Sequence, residues 1–178
     1  MKIVNLFAGP GAGKSTLAAG LFFMMKNAGM KVELVTEYAK DVMWEKRFNL
    51  LDDQCYLFAK QLRRLNRLKD HKIEWAITDS PLLLSCIYVT PDYPKEFKAL
   101  VHVMFDGFDN RNFRVQRMKP YYQVGRTQTE DEAAALDMKV HEYLDTNKIT
   151  FLDVPGDATG PIEVLKKLGI DQQVRRTT

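Results

Sequence analysis

A chain of 178 residues with 46% hydrophobic and 28% charged side chains has an ordinary globular balance, enough for one sizeable core and too little for two. Its longest uncharged apolar run, Leu17 to Met25, is too short to span a bilayer, so no membrane partner is expected; without a charged n-region, apolar stretch and cleavage site, the expected location is cytosolic. The net charge of +3 is too small to establish a nucleic-acid partner, and Cys55 and Cys86, lacking metal-ligand spacing to His71, His102 or His141, argue against a disulfide framework or zinc site. Both cysteines sit among apolar residues and read as buried, inert thiols.

In chain order, the run Ile3-Val4-Asn5-Leu6-Phe7 within residues 2–8 stops at a glycine cluster and predicts a buried strand. Residues 15–28 are apolar almost all round and predict a core helix stopped by Gly29. Residues 32–36 form a second strand, completing a β–loop–α–β unit of the size of a parallel crossover. Helices follow over residues 38–47 and 52–69, then a third strand over 75–79 and a helix over 82–89. After the turn Thr90-Pro91-Asp92-Tyr93-Pro94 comes a helix with Phe97, Leu100, Val101, Met104 and Phe105 on one face. Residues 112–116 are a fourth strand, and 117–128, with Pro120 and Gly125, an exposed loop. Thr129 and Glu132 make a capping box that opens a helix with Ala133, Leu136, Val140, Tyr143 and Leu144 on one face. A fifth strand spans 149–154, a short helix 161–168 is closed by Gly169, and residues 171–178 form a loose tail. The alternation predicts a single three-layer α/β domain over residues 1–170, built on a parallel sheet.

The segment Ala8-Gly9-Pro10-Gly11-Ala12-Gly13-Lys14-Ser15 matches the phosphate-cradling P-loop pattern, except that Ala8 stands where its strictest form has glycine. That position begins the loop rather than lining the anion. Glycines let the main chain curl until successive N–H groups face one anion. The helix beginning near Ser15 aims its positive dipole end at the same point. Gly9, Gly11, Ala12, Gly13, Lys14, Ser15 and Thr16 are therefore the expected ATP-binding residues, with Lys14 on the β- and γ-phosphates and the Ser15 hydroxyl on Mg²⁺. The plain alternative is a chance turn before a helix; against it, the pattern follows a strand, opens a helix and lies inside a crossover.

In parallel α/β sheets ligands sit outside the carboxyl ends of the strands, so the polar residues ending the other strands matter. Asp79 follows the uncharged Trp75-Ala76-Ile77-Thr78 and is placed to hold Mg²⁺ directly or through water; its alternative role is to cap the next helix. Glu37, at the end of strand two, is a candidate general base for an acceptor hydroxyl, or else a solvated glutamate at a helix start. From Asn110 to Thr129 there are five cations, Arg111, Arg114, Arg117, Lys119 and Arg126, and no acid. Residues 117–128 therefore suggest a lid that closes over ATP and excludes water, with Arg117 and Arg126 as candidates to neutralise the transferring phosphoryl; a solvated loop is the alternative. Lys60, Arg63, Arg64 and Arg67, with Lys69 and Lys72 beyond, form a second basic run, either a solvated helix face or a groove for an acceptor phosphate or polynucleotide backbone. Leu57, Leu62, Leu65 and Leu68 supply the core contacts of that helix. Tyr38, Trp44, Phe48, Tyr121 and Tyr122 could stack on a base, although core packing or surface placement explains each singly.

From Lys2 to Gly169 the chain resembles the nucleoside and nucleoside-monophosphate kinase superfamily. Glu37-Tyr38-Ala39-Lys40 is similar to the Glu-Tyr-Ala-Arg segment of NadR-type ribosylnicotinamide kinases, and Thr78-Asp79-Ser80-Pro81 to their second acidic motif. That resemblance implies a P-loop NTPase fold with strand order 2-3-1-4-5, a lid, and an acceptor site between strand two and the lid. A closer resemblance is to phage-encoded P-loop kinases, carried by Val-Glu-Leu-Val-Thr-Glu-Tyr-Ala-Lys at 32–40, Thr-Asp-Ser-Pro-Leu-Leu-Leu at 78–84, and Gly-Arg-Thr-Gln-Thr-Glu within 122–130. Some members of that group phosphorylate 5-hydroxymethyluracil within DNA, a step toward hypermodified thymidines. This implies an ATP- and Mg²⁺-dependent phosphotransferase of the host cytoplasm, acting on DNA with a modified thymidine, with Glu37 matched to the acid facing the acceptor hydroxyl and Lys14 to the phosphate-binding lysine. Two other readings stay open. One is a kinase of a free nucleoside or nucleoside monophosphate, with a closed base pocket in place of a cationic groove. The other is a nucleotide-dependent switch or ATPase, which needs no acceptor base.

Overall fold

β1 (Lys2–Phe7) is buried at every position after Lys2, and its side chains alternate between two cores. Val4 and Leu6 enter one; Ile3 and Phe7 enter the other. A strand apolar on both faces belongs in the middle of a parallel sheet covered on both sides. In the computed structural model, which describes residues 1–122 and 128–175, β1 is followed by α1 (Lys14–Asn27), β2 (Val32–Val35), α2 (Tyr38–Trp44), α3 (Gln54–Asn66) and β3 (Trp75–Thr78). Then come α4 (Ser85–Tyr88), α5 (Lys95–Asp106), β4 (Asp109–Gln116), α6 (Glu130–Thr146), β5 (Leu152–Pro155), α7 (Gly160–Lys167) and α8 (Asp171–Arg175). The five strands pair in parallel in the order β2-β3-β1-β4-β5. That is the order implied by the kinase resemblance.

The two cores define the three layers. Leu17, Leu21 and Met25 of α1 pack with Val164 and Leu165 of α7 and Val174 of α8 on one face of the sheet. Phe58 and Leu65 of α3, Val101 and Phe105 of α5, and Val140 and Leu144 of α6 cover the other. Each such side chain, fully buried, contributes about 1.5–3 kcal/mol. The capping box at the start of α6 forms as its sequence signature predicts: Thr129 and Glu132 each satisfy the other's backbone N–H.

Several expectations are corrected. β4 begins at Asp109 rather than Asn112, because polar residues there pair their main chain with β1 while Asn5 donates to Asn110 (2.8 Å) and Asn112 (3.0 Å) across the sheet. Polar side chains satisfied by one another hide a strand from a hydrophobicity reading. β5 begins at Leu152 rather than Ile149, since the Ile149 N–H instead closes the end of α6 on Leu144 (2.9 Å). On α5 the stripe Phe97, Val101, Phe105 is buried, but Leu100 and Met104 are exposed. α1 buries one face only, and Phe23 faces solvent. Of the expected loose tail over residues 171–178, Asp171–Arg175 form α8, anchored by buried Val174, and residues 176–178 lie outside the described residues. Cys86 is buried as expected, whereas Cys55, on the outer side of α3, is exposed. Among the described residues no helix is long and apolar enough to cross a membrane.

Candidate active site

The P-loop leaves the carboxyl end of β1 at Phe7 and turns into α1 through Gly13, which caps the helix with φ 104°. A Cβ there would strike the carbonyl of Gly156, so glycine is needed both for the left-handed turn and for the close approach of the loop after β5. The curl brings Lys14 Nζ onto the carbonyl oxygens of Ala8 and Gly9, each at 2.8 Å. Burial pushes the Lys14 pKa down; the negative charges of Glu37, Asp79 and Asp137 push it back up, and Arg117 lowers it. Lys14 therefore lies within electrostatic reach of three carboxylates.

Asp79 directly follows β3 and is 3% exposed. The Ser15 hydroxyl donates to its Oδ2 at 2.6 Å, and its Oδ1 is buried without a hydrogen-bond partner. A buried carboxylate oxygen left unpaired beside a hydroxyl is a fitting donor pair for a hard divalent cation. Among the described residues no cluster of three His, Cys, Asp or Glu side chains could hold a metal unaided, so a cation there needs oxygens from a bound phosphate. Lys40 Nζ approaches the same Ser15 hydroxyl at 3.3 Å.

Glu37 stands at the N-terminus of α2 and shares a cavity of about 660 Å³ with Lys14 and Ser15. Its backbone is clamped by α3. The buried Gln61 amide accepts from Tyr38 N (3.1 Å) and donates to the Thr36 carbonyl (3.3 Å) and Thr78 Oγ1 (3.3 Å). Arg64 donates to the same Thr36 carbonyl (2.8 Å) and pairs with Asp41. The basic run on α3 is thus divided: Arg64 turns inward as a strut, while Arg63 and Arg67 are exposed. Away from the P-loop the cavity is walled by Tyr38, Trp44, Phe48, Leu57, Tyr88 and Tyr122. Tyr121 does not line it; its ring lies against Gly11 and its hydroxyl donates to the Gln128 carbonyl (2.7 Å).

Three of the cations between Asn110 and Thr129 are paired with acids that lie outside that segment. Arg111 pairs with Asp109 at 2.6 Å, and Arg114 forks onto Asp153 at 2.6 and 2.7 Å. Arg117 is held by Asp137 of α6 (Nε to Oδ2, 2.9 Å) and donates to the Pro10 carbonyl (2.8 Å). Arg117 is therefore largely sheltered rather than part of an exposed loop, and it touches the P-loop directly. Arg126 lies outside the described residues. Gln61, Arg64 and Asp137 escape a sequence reading, because mid-helix polar residues look like solvated ones. The one available signal is that Gln61 and Arg64 continue the inward stripe of Gln54 and Leu57 on α3.

The comparisons agree with this architecture. The dATP-bound deoxyadenosine kinase from M. mycoides superposes with a TM-score of 0.56 at 20% identity, covering 95% of this chain and 100% of that one. Comparison with curated proteins finds no match. The family model described as AAA domain matches residues 3–160, nearly the whole sheet and both helical layers, and the chain accordingly belongs to the AAA-domain family.

Proposed function

We propose that the chain is a P-loop kinase that moves the γ-phosphoryl of ATP to the hydroxyl of a nucleoside-like acceptor. One observation carries this reading: Glu37, Lys14 and Ser15 line the same cavity as a wall of aromatic side chains. A base fits between such rings, and the hydroxyl of its nucleoside is then within reach of Glu37, the cavity carboxylate that stands beside Lys14 and Ser15. The fold of a deoxyadenosine kinase is consistent with it.

In this mechanism the P-loop amides of residues 11–16 and the Lys14 side chain hold the triphosphate, the Gly9 N–H being already donated to Asp137 Oδ1 and Pro10 having none. Lys14 exchanges the carbonyls of Ala8 and Gly9 for phosphate oxygens, gaining charged partners for a buried ammonium. Ser15 and Asp79 would hold Mg²⁺, which neutralises charge on the phosphates when bound. Glu37 takes the proton of the acceptor hydroxyl as its oxygen bonds the γ-phosphorus and the bond to the β-phosphate oxygen breaks, leaving ADP and a phosphate ester. Arg117, and Arg126 with it, spread the charge of the transferring group.

The second reading is that the acceptor is the hydroxymethyl group of 5-hydroxymethyluracil in DNA. The exposed Arg63 and Arg67 favour it, since they remain open to a polynucleotide backbone. The pairing of Arg64, Arg111, Arg114 and Arg117 with acids weighs against it, because those charges are already balanced. ATP labelled at the γ-phosphate, offered in parallel to nucleosides, nucleoside monophosphates, hydroxymethyluracil DNA and ordinary DNA, tests both. Label on a nucleoside supports the first reading, and label on hydroxymethyluracil DNA alone replaces it with the second. Release of inorganic phosphate with no labelled acceptor sinks both in favour of an ATPase.

A further inference from the structure

The Arg117 guanidinium uses two of its three nitrogens on known partners. Nε and Nη2 reach Asp137 Oδ2 at 2.9 and 2.8 Å, and Nη2 also donates to the Pro10 carbonyl at 2.8 Å. The third, Nη1, is buried and has no hydrogen-bond partner. It lies 3.2 Å from the point where a Cβ on Gly11 would stand, at the apex of the P-loop, and the Tyr121 ring backs the guanidinium 5.7 Å away. A buried N–H donor without an acceptor is costly in a folded protein and points to an acceptor that arrives with a ligand. At the apex of an anion nest that acceptor is a phosphate oxygen.

Asp137 does more than neutralise Arg117. Its second oxygen, Oδ1, accepts the Gly9 N–H at 2.6 Å, so one carboxylate bolts the outer limb of the P-loop and the arginine fork into a fixed relation. We infer that Asp137 is the positioning residue for Arg117, holding Nε and Nη2 so that Nη1 is directed at the phosphoryl group above Gly11. This rests on the phosphotransferase reading. It also carries an electrostatic corollary. Without Arg117, Asp137 becomes an uncompensated carboxylate at the edge of the phosphate nest and repels the triphosphate. Both charges reach the site: beyond the dominant effect of burial on Lys14, Asp137 raises its pKa and Arg117 lowers it.

Three variants, Asp137→Asn, Arg117→Gln and the double, are compared for affinity to a non-hydrolysable ATP analogue and to ADP, for transfer rate at saturating ATP, and for Tm. Asp137→Asn keeps analogue affinity within about threefold while transfer slows about 10- to 100-fold, since the fork is charged but no longer aimed. Arg117→Gln weakens the analogue about tenfold or more, and weakens ADP less. The double variant regains part of the affinity lost by Arg117→Gln and transfers no more slowly than that single change, because the two residues act as a unit. Wild-type transfer in Asp137→Asn, or losses that simply multiply in the double variant, would overturn the inference, as would a shared loss of Tm with unchanged kcat. If the wild type phosphorylates no acceptor at all, the kinase reading fails instead, and the affinities of the four proteins still decide whether Asp137 and Arg117 are coupled.

Discussion

Gly13→Ala should be among the most damaging single-methyl changes in the chain, and Gly29→Ala provides its control. Both glycines have positive φ, 104° and 72°. A left-handed conformation costs a residue with a Cβ about 1–2 kcal/mol. At Gly29 nothing lies within 4 Å of the added methyl, so that conformational term is the whole effect. At Gly13 the methyl also meets the carbonyl oxygen, carbonyl carbon (3.1 Å) and Cα (3.2 Å) of Gly156. These are main-chain atoms that cannot rotate away, so a forced fit adds about 1–3 kcal/mol. The sum is about 2–5 kcal/mol for Gly13→Ala against about 1–2 kcal/mol for Gly29→Ala. With a urea m-value of about 2 kcal/mol/M, the midpoints should fall by about 1–2.5 M and about 0.5–1 M respectively, with m unchanged. Urea titrations followed by circular dichroism read both, and the binding of an ATP analogue should be lost only in Gly13→Ala. Equal midpoints for the two variants would refute the reasoning, because the contact with Gly156 would then carry no cost.

Other expectations follow from the site. Glu37→Gln should slow phosphoryl transfer about 10²- to 10⁴-fold with little change in ATP affinity; a full transfer rate removes Glu37 from the mechanism. Asp79→Asn should abolish most of the gain in ATP affinity on adding Mg²⁺ while leaving affinity in chelator unchanged, as read by titration calorimetry. A thiol reagent should label exposed Cys55 quickly and Cys86 only on unfolding, since Cys86 is buried and its thiol pKa is pushed up by burial; equal rates would contradict that. The hydrogen bonds from Arg114 hold the Asp153 carboxyl below its usual pKa. Its contribution to stability is therefore present above about pH 4 and lost as the pH falls below that. Arg114→Gln should flatten the acid limb of the stability–pH curve measured by urea midpoints.

What was legible in the sequence was whatever depends on local pattern. The run Ile3–Phe7, the glycine cluster before Lys14 and the capping box at Thr129 each declare an element through neighbours a few residues away. Asp79 and Glu37 could be nominated because a parallel sheet gathers strand ends at one edge, and both lie beside Lys14. The extension of β4 into Asp109-Asn110-Arg111 was not legible, since its asparagines are satisfied by Asn5, about a hundred positions away. The basic segment after Asn110 was misjudged for a related reason, since the acids that balance Arg114 and Arg117 come from β5 and α6.

The sequence by itself determined the alternation of strands and helices, the phosphate loop and the cap that starts α6, because hydrophobic period, glycine freedom and capping chemistry act over one or two turns of chain. Only the tertiary structure decided which charges are left to act. It set Asp137 against Arg117, Asp153 against Arg114 and Asp41 against Arg64. Charge compensation depends on distance in space, and a folded sheet brings together residues that the linear chain keeps far apart.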